Sequence, residues 1–186
     1  MRTTIVRRAS AGLLAAALLG GAAACGSHSE HAPPPAASAG HNSQDAMFAQ
    51  MMVPHHQQAI TMSEHELAAG ADPAVKDLAT TIKQAQAPEI QQMRGWLAAW
   101  RAPATAEHHH GAGVMAPEQM DAFQNASGPG ADRAFLEMMI EHHRGAVDMA
   151  RTEQQAGKDP GAKQLATSIL ESQQNQIAQM QRMLGR

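Results

Sequence analysis

Two segments of this chain set thioethers and imidazoles at helical spacing: Met51-Met52-x-x-His55-His56 with Met62, and Met138-Met139-x-x-His142-His143 with Met149. Thioether beside imidazole is a ligand set that suits Cu(I), and imidazole also holds Cu(II). The inventory leans the same way, with thirteen Met and eleven His against three Phe, two Trp and no Tyr. On an ideal helix Met51, Met62, His55, Phe48 and Glu66 fall within about 60° of one another, while His56 lies near ~140° from Met51. One imidazole of the pair is therefore expected inside an apolar stripe and the other at its rim. Core packing accounts for the same spacing, because Met is a flexible hydrophobe that fills irregular gaps and a buried His is commonly just hydrogen-bonded. Both readings stay open on the motif alone.

The elements that must position these residues are written twice. Residues 45–97 slide by 87 positions onto 132–184 without a gap. Phe48, Met51, Met52, His55, His56, Ala59, Met62 and Glu66 land on Phe135, Met138, Met139, His142, His143, Ala146, Met149 and Glu153. Each copy reads as a helical hairpin: Gly70 and Gly157 suit a helix C-terminus, and Asp72-Pro73 and Asp159-Pro160 give an N-cap followed by Pro at the first helical position. The spacing predicts helices over 44–69, 73–101, 131–157 and 160–184, with Pro54 kinking the first just before its His pair. Leu78, Ile82, Gln86, Ile90, Met93 and Leu97 form one stripe, repeated as Leu165, Ile169, Gln173, Ile177, Met180 and Leu184. No strand pattern competes. The expected fold is all-α, a ferritin-like four-helix bundle of two duplicated helical hairpins.

Residues 98–131 link the repeats, and within them the Pro/Gly-bounded stretch 102–130 holds His108-His109-His110 and a short helix at 117–123. A connection of this length permits a crossover rather than a simple up-and-down bundle. The histidine run is a secondary metal candidate by composition, with solvated loop as the alternative. His65 is not repeated and falls off the stripe, which reads as surface. Glu66 and Glu153 recur on the apolar face, where an unpaired carboxylate is costly, so each needs a partner such as His, Arg or a metal.

Ahead of the repeats, residues 1–24 read as a secretory signal peptide, with Arg2, Arg7 and Arg8 before a short apolar run. Ala22-Ala23-Ala24-Cys25-Gly26 resembles the lipobox of bacterial lipoproteins, in which the Cys is lipidated. Cys25 is the only cysteine, so an internal disulfide is excluded. Residues 25–42 are Ser, Ala, Pro and Gly with His28, His31 and His41, a flexible tether holding residues 43–186 off a membrane. The expected location is outside the cytoplasm, lipid-anchored on the outer face of the membrane, with free secretion as the alternative. The whole chain carries a net charge of -3. Losing three arginines and no acids with the leader makes the mature chain more acidic, which favours cations over nucleic acid as partners.

Met47-Phe-Ala-Gln-Met-Met-Val-Pro-His-His-Gln-Gln-Ala-Ile-Thr-Met62 and Phe135-Leu-Glu-Met-Met-Ile-Glu-His-His-Arg-Gly-Ala-Val-Asp-Met149 resemble the two signature segments of the domain-of-unknown-function 305 family. The resemblance covers residues 43–184 and implies a ferritin-like, exported, copper- or silver-associated protein. Carried over by position, His55, His56, His142 and His143 with Met51, Met52, Met62, Met138, Met139 and Met149 match its pattern. No enzyme motif competes: the predicted helices lack the Glu-x-x-His of di-iron bundles, and no nucleophile elbow or phosphate loop is present. Two functions remain, a membrane-tethered copper-binding protein with metal ions as partners, and a metal-free interaction module whose Met-rich stripe is core or partner surface. The sequence names no partner protein.

Overall fold

The computed structural model describes residues 40–104 and 112–185. Expectations for the leader, Cys25, the tether before Gly40 and His108, His109 and His110 lie outside the described residues. Five helices follow in order: α1 (Ser43–Ala69), α2 (Pro73–Trp100), α3 (Pro117–Gln124), α4 (Pro129–Ala156) and α5 (Pro160–Leu184). No strand appears among the described residues, and no helix there is long and apolar enough to cross a membrane.

Local chemistry starts each element. The Asn42 side chain accepts from the Gln44 and Asp45 amides at 2.9 and 3.1 Å while Asp45 accepts the Asn42 N–H, a capping box. Asp72 and Asp159 cap α2 and α5, each followed by Pro. Gly70 and Gly157 end α1 and α4, but in extended backbone at φ -67° and -68° rather than the left-handed conformation. Glycine is needed there for room instead. A Cβ on Gly70 would lie 1.9 Å from Glu66 Oε1, and one on Gly157 would lie 2.1 Å from Glu153 Oε1. α1 continues as one helix through Pro54, and α2 likewise through Pro88, which the sequence reading passed over.

α1 packs on α2 and α4 on α5 as two hairpins, joined through α1 against α4. Asn42 Nδ2 donates to the Ala156 carbonyl at 2.8 Å, and the Gly128 amide donates to the Ala69 carbonyl at 2.8 Å. The start of α1 thus meets the end of α4 and the reverse, so the two central helices run antiparallel about a pseudo-two-fold. α2 ends at the opposite end of the bundle from the start of α4, and the connection between them must travel the bundle's length. Its described residues do so along α1: Gln50 Nε2 donates to the Pro103 carbonyl at 3.0 Å, Gln58 exchanges two bonds with the Met115 backbone, and His65 bonds the Ala126 carbonyl. This is the crossover that the linker length allows.

His65 was read as surface. It is half-buried, edge-on to Phe123 at 4.6 Å, and its absence from the second repeat has a reason: it serves a linker that occurs once.

The core divides in two. One cluster holds Phe48, Met52, Val53, Ile90, Met93, Leu97, Ala150, Leu165 and Ile169; the other holds Met62, Leu78, Ile82, Phe123, Phe135, Met139, Ile140 and Met180. Each draws on halves of all four long helices, as the pseudo-two-fold requires. In the register between them sit His55, His56, Gln86, His142, His143 and Gln173, all buried. A polar belt therefore separates the two apolar clusters at mid-height.

Candidate metal centre

The pseudo-two-fold brings His55 of α1 and His142 of α4 face to face, with ring centroids 3.6 Å apart and planes 37° apart. His56 and His143 flank them at 6.4 and 6.3 Å, making a row of four imidazoles. All four are completely buried. This corrects the expectation that one of each pair would sit at the rim. The angular argument placed His56 at the edge of α1's stripe, but α2 closes over that edge, and His56 Nε2 meets Glu89 Oε2 at 2.8 Å. His143 Nε2 meets Gln176 Oε1 at 2.7 Å in the same way.

Burial favours the neutral ring at His55, His142 and His143. Loss of solvent, followed by the neighbouring imidazoles, holds His55 down at about 3 and His142 well below the usual range. Burial brings His143 to about 4, against the Gln176 bond that pulls upward. A neutral imidazole carries one N–H and one lone pair. Both ring nitrogens of His55 and of His142, and Nδ1 of His56 and of His143, make no well-formed hydrogen bond; only the Ala112 and His142 backbone near His55, and the His55 backbone near His142, offer weak polar contact. Buried polar atoms are nearly always well paired, so six poorly satisfied ring nitrogens in one belt call for an explanation. Lone pairs held dry, neutral and adjacent are the state in which imidazole binds a metal.

The methionines are distributed less evenly than the helical wheel suggested. Met52, Met62 and Met139 have no exposure and sit within the apolar clusters, and Met149 is 9% exposed. Met51 and Met138 lie half-buried at the cluster edges. Met51 and Met149 line a small surface pocket with Gln44, Phe48, Thr152 and Met47, a thioether the repeat comparison did not single out because Ala134 is its counterpart. Among the described residues no three His, Cys, Asp or Glu side chains converge on one point. An ion at the belt would therefore draw on the His55–His142 imidazole pair.

Glu66 and Glu153 have a partner of an unexpected kind. Each lies beside an aspartate of the other repeat, Glu66 with Asp132 and Glu153 with Asp45, and not beside His, Arg or an ion. Asp132 accepts the Ala71 and Asp72 amides at the first interhelical turn, and Asp45 accepts the Lys158 and Asp159 amides at the second. Two carboxyls can share such a site only with a proton between them. Burial first, then the aspartate, raises Glu66 and Glu153 to about 8, with Lys76 and Lys163 opposing. Asp132 and Asp45 are lowered: burial pulls them upward, and the glutamate and backbone donors outweigh it.

The crossover covers the imidazole row. Gly113, at φ +78°, lies so close to α4 that a Cβ would meet the Glu141 carbonyl at 2.8 Å. A Cβ on Gly145 would lie 1.8 Å from the Ala112 carbonyl oxygen, and the Ala112 backbone lies beside His55. Gln58, the residue equivalent to Gly145 in the first repeat, pins Met115 on the other side. Gly145→Ala should therefore force the strap off α4, destabilising the protein by about 1–3 kcal/mol. Amide exchange at residues 112–116 should rise, and unchanged protection there would show that the strap is not seated on Gly145.

The profile of the domain of unknown function DUF305 matches residues 45–184. A Streptomyces coelicolor DUF305 protein inferred to be secreted is 33% identical, over 77% of this chain and 93% of that one, with a TM-score of 0.74. CopM in its Cu(I)-bound form is 35% identical, over 75% of this chain and 94% of that one, with a TM-score of 0.66, and it is also known in Cu(II)-bound and silver-bound forms. The uncharacterized protein L153 of Acanthamoeba polyphaga mimivirus is 45% identical over 53 residues, which is 28% of this chain and 35% of that protein, so the match spans about a third of its length. A profile running through both histidine pairs, on a bundle shared with solved DUF305 proteins, places the chain in the DUF305 family.

Proposed function

We propose that the protein binds copper outside the cytoplasm, anchored through lipid on Cys25, and that it buffers, sequesters or hands on Cu(I) and Cu(II) through the repeated Met/His motif without catalysing a reaction. The observation that carries this is the buried His55–His142 pair, whose four ring nitrogens make no well-formed hydrogen bond within the protein. Copper is cargo here, and the residues present fit it: the neutral His55 and His142 imidazoles accept it without first losing a proton, and thioethers of the same repeated motif would favour its monovalent form. The likeness to CopM, which binds copper in both oxidation states, supports the same reading. So does the likeness to a protein inferred to be secreted for the location.

A metal-free interaction module needs an exposed apolar face. Among the described residues Met47, 41% exposed, is the only large hydrophobic side chain left open to solvent.

The test is Cu(I) competition against a chromogenic chelator, comparing the full chain with His55→Ala/His142→Ala and with a variant in which His56 and His143 are also replaced. Stoichiometric binding in the parent should collapse in variants that stay helical by circular dichroism. Equal binding in parent and variants would move copper to the histidine run or the methionines, and no binding in the parent would leave the interaction module.

A further inference from the structure

The pseudo-two-fold is obeyed by the histidines and broken by what holds them. Glu89 on α2 and Gln176 on α5 are equivalent positions, offset by the same 87 residues as the repeats. Each meets the Nε2 of the outer histidine of its own hairpin, at 2.8 Å for Glu89 and 2.7 Å for Gln176. A carboxylate oxygen only accepts, so His56 donates its Nε2–H, and in the neutral ring that a metal binds the lone pair is then on Nδ1. That Nδ1 is buried and unpartnered. His143 presents an equally unpartnered Nδ1, but behind a neutral amide that brings no charge.

We propose that Glu89 is a positioning residue that makes the two histidine pairs unequal, fixing His56 as the Nε2–H tautomer and biasing the α1/α2 half towards divalent copper. The inference rests on the copper reading above and adds selectivity to it. A carboxylate behind a ligating imidazole orients the ring and raises its basicity. Its attraction for a cation doubles with the cation's charge, so Cu(II) gains more from Glu89 than a monovalent ion does. The Gln176 half lacks this gain and is left to the softer, monovalent ion. One bundle then offers two chemically different halves without any change in the repeated motif.

The experiment compares the full chain with Glu89→Gln, Gln176→Glu and Glu171→Gln, the last an exposed α5 position with the same loss of charge. Cu(II) and Ag(I), a redox-inert monovalent probe, are titrated separately against competing chelators. Nitrogen chemical shifts of His56 and His143 are read in the metal-free proteins. Glu89→Gln should weaken Cu(II) binding by about 10-fold or more, the scale of losing a partner behind a metal ligand, with a smaller effect on Ag(I). Gln176→Glu should move the Cu(II)-to-Ag(I) ratio the other way, and Glu171→Gln should leave it in place. The metal-free parent should show His56 protonated at Nε2. A ratio that shifts no more in Glu89→Gln than in Glu171→Gln, or a His56 protonated at Nδ1, overturns the inference while leaving the copper reading intact if the parent still binds. A parent that binds neither ion removes both.

Discussion

His55→Leu/His142→Leu is expected to melt higher than the parent when both are free of metal, and to take up no copper at the belt. Four buried ring nitrogens without a well-formed hydrogen bond burden the native state. Leaving a buried donor or acceptor unsatisfied costs about 1–3 kcal/mol each, whereas an apolar side chain of similar size has nothing to satisfy. Recovering even ~2 kcal/mol raises the melting temperature by about 4–8 °C in a chain of this size. The gain should grow in acid. His55, His142 and His143 titrate in the folded protein well below their usual 6.5, so the unfolded chain binds more protons once pH falls below that value. Stability is therefore lost as pH drops from 6.5 towards the folded values, at about 1.4 kcal/mol per unit for each such group. Melting curves in chelator from pH 5 to 7 check both points. A double variant less stable than the parent across that range would mean the imidazoles find partners in solution.

The alkaline limb belongs to different residues. Glu66 and Glu153 titrate at about 8 in the folded protein, above the usual 4.5. Between those two values the folded chain holds protons that the unfolded chain has released, so their contribution is fully present below pH 4.5 and declines as pH rises towards 8. Asp45 and Asp132, being lowered, add a loss confined to the acid side of the carboxylate range. Summed with the histidines, the metal-free protein should be most stable near pH 6.5 and lose a few kcal/mol by pH 8. Glu66→Gln/Glu153→Gln should flatten that decline, because an amide N–H donates to each aspartate at every pH. Its melting temperature should exceed the parent's at pH 8.5 and not at pH 5. A parent whose stability holds level from pH 6.5 to 9 would show that no proton is retained between the carboxyls.

What was legible in the chain followed the duplication. Residues that occur twice, such as the Asp-Pro caps, the apolar stripes of α2 and α5 and the histidine pairs, announced hairpins and the residues of a candidate site because repetition separates signal from accident. Residues that occur once were misread or passed over. His65, Gln50, Gln58 and Gly145 looked incidental, yet all four bind or seat the single linker. Contacts between repeats were equally hidden. Glu66 gave warning that it needed a partner, but the partner is an aspartate 66 residues away that doubles as the cap of a neighbouring turn. His56 was set at the rim because a helical wheel knows its own helix and not the neighbour that covers it.

The antiparallel meeting of α1 and α4 also bears on how the chain closes. Each hairpin presents the other with a matching face, and the matching face on a second molecule is chemically identical. Whether two hairpins close within one chain or exchange between two is decided by the segment that joins them, the usual condition for domain swapping. The bonds from Gln50, Gln58 and His65 lay that segment along its own α1. They favour the closed monomer over an intertwined dimer in which every histidine belt would be assembled from two polypeptides.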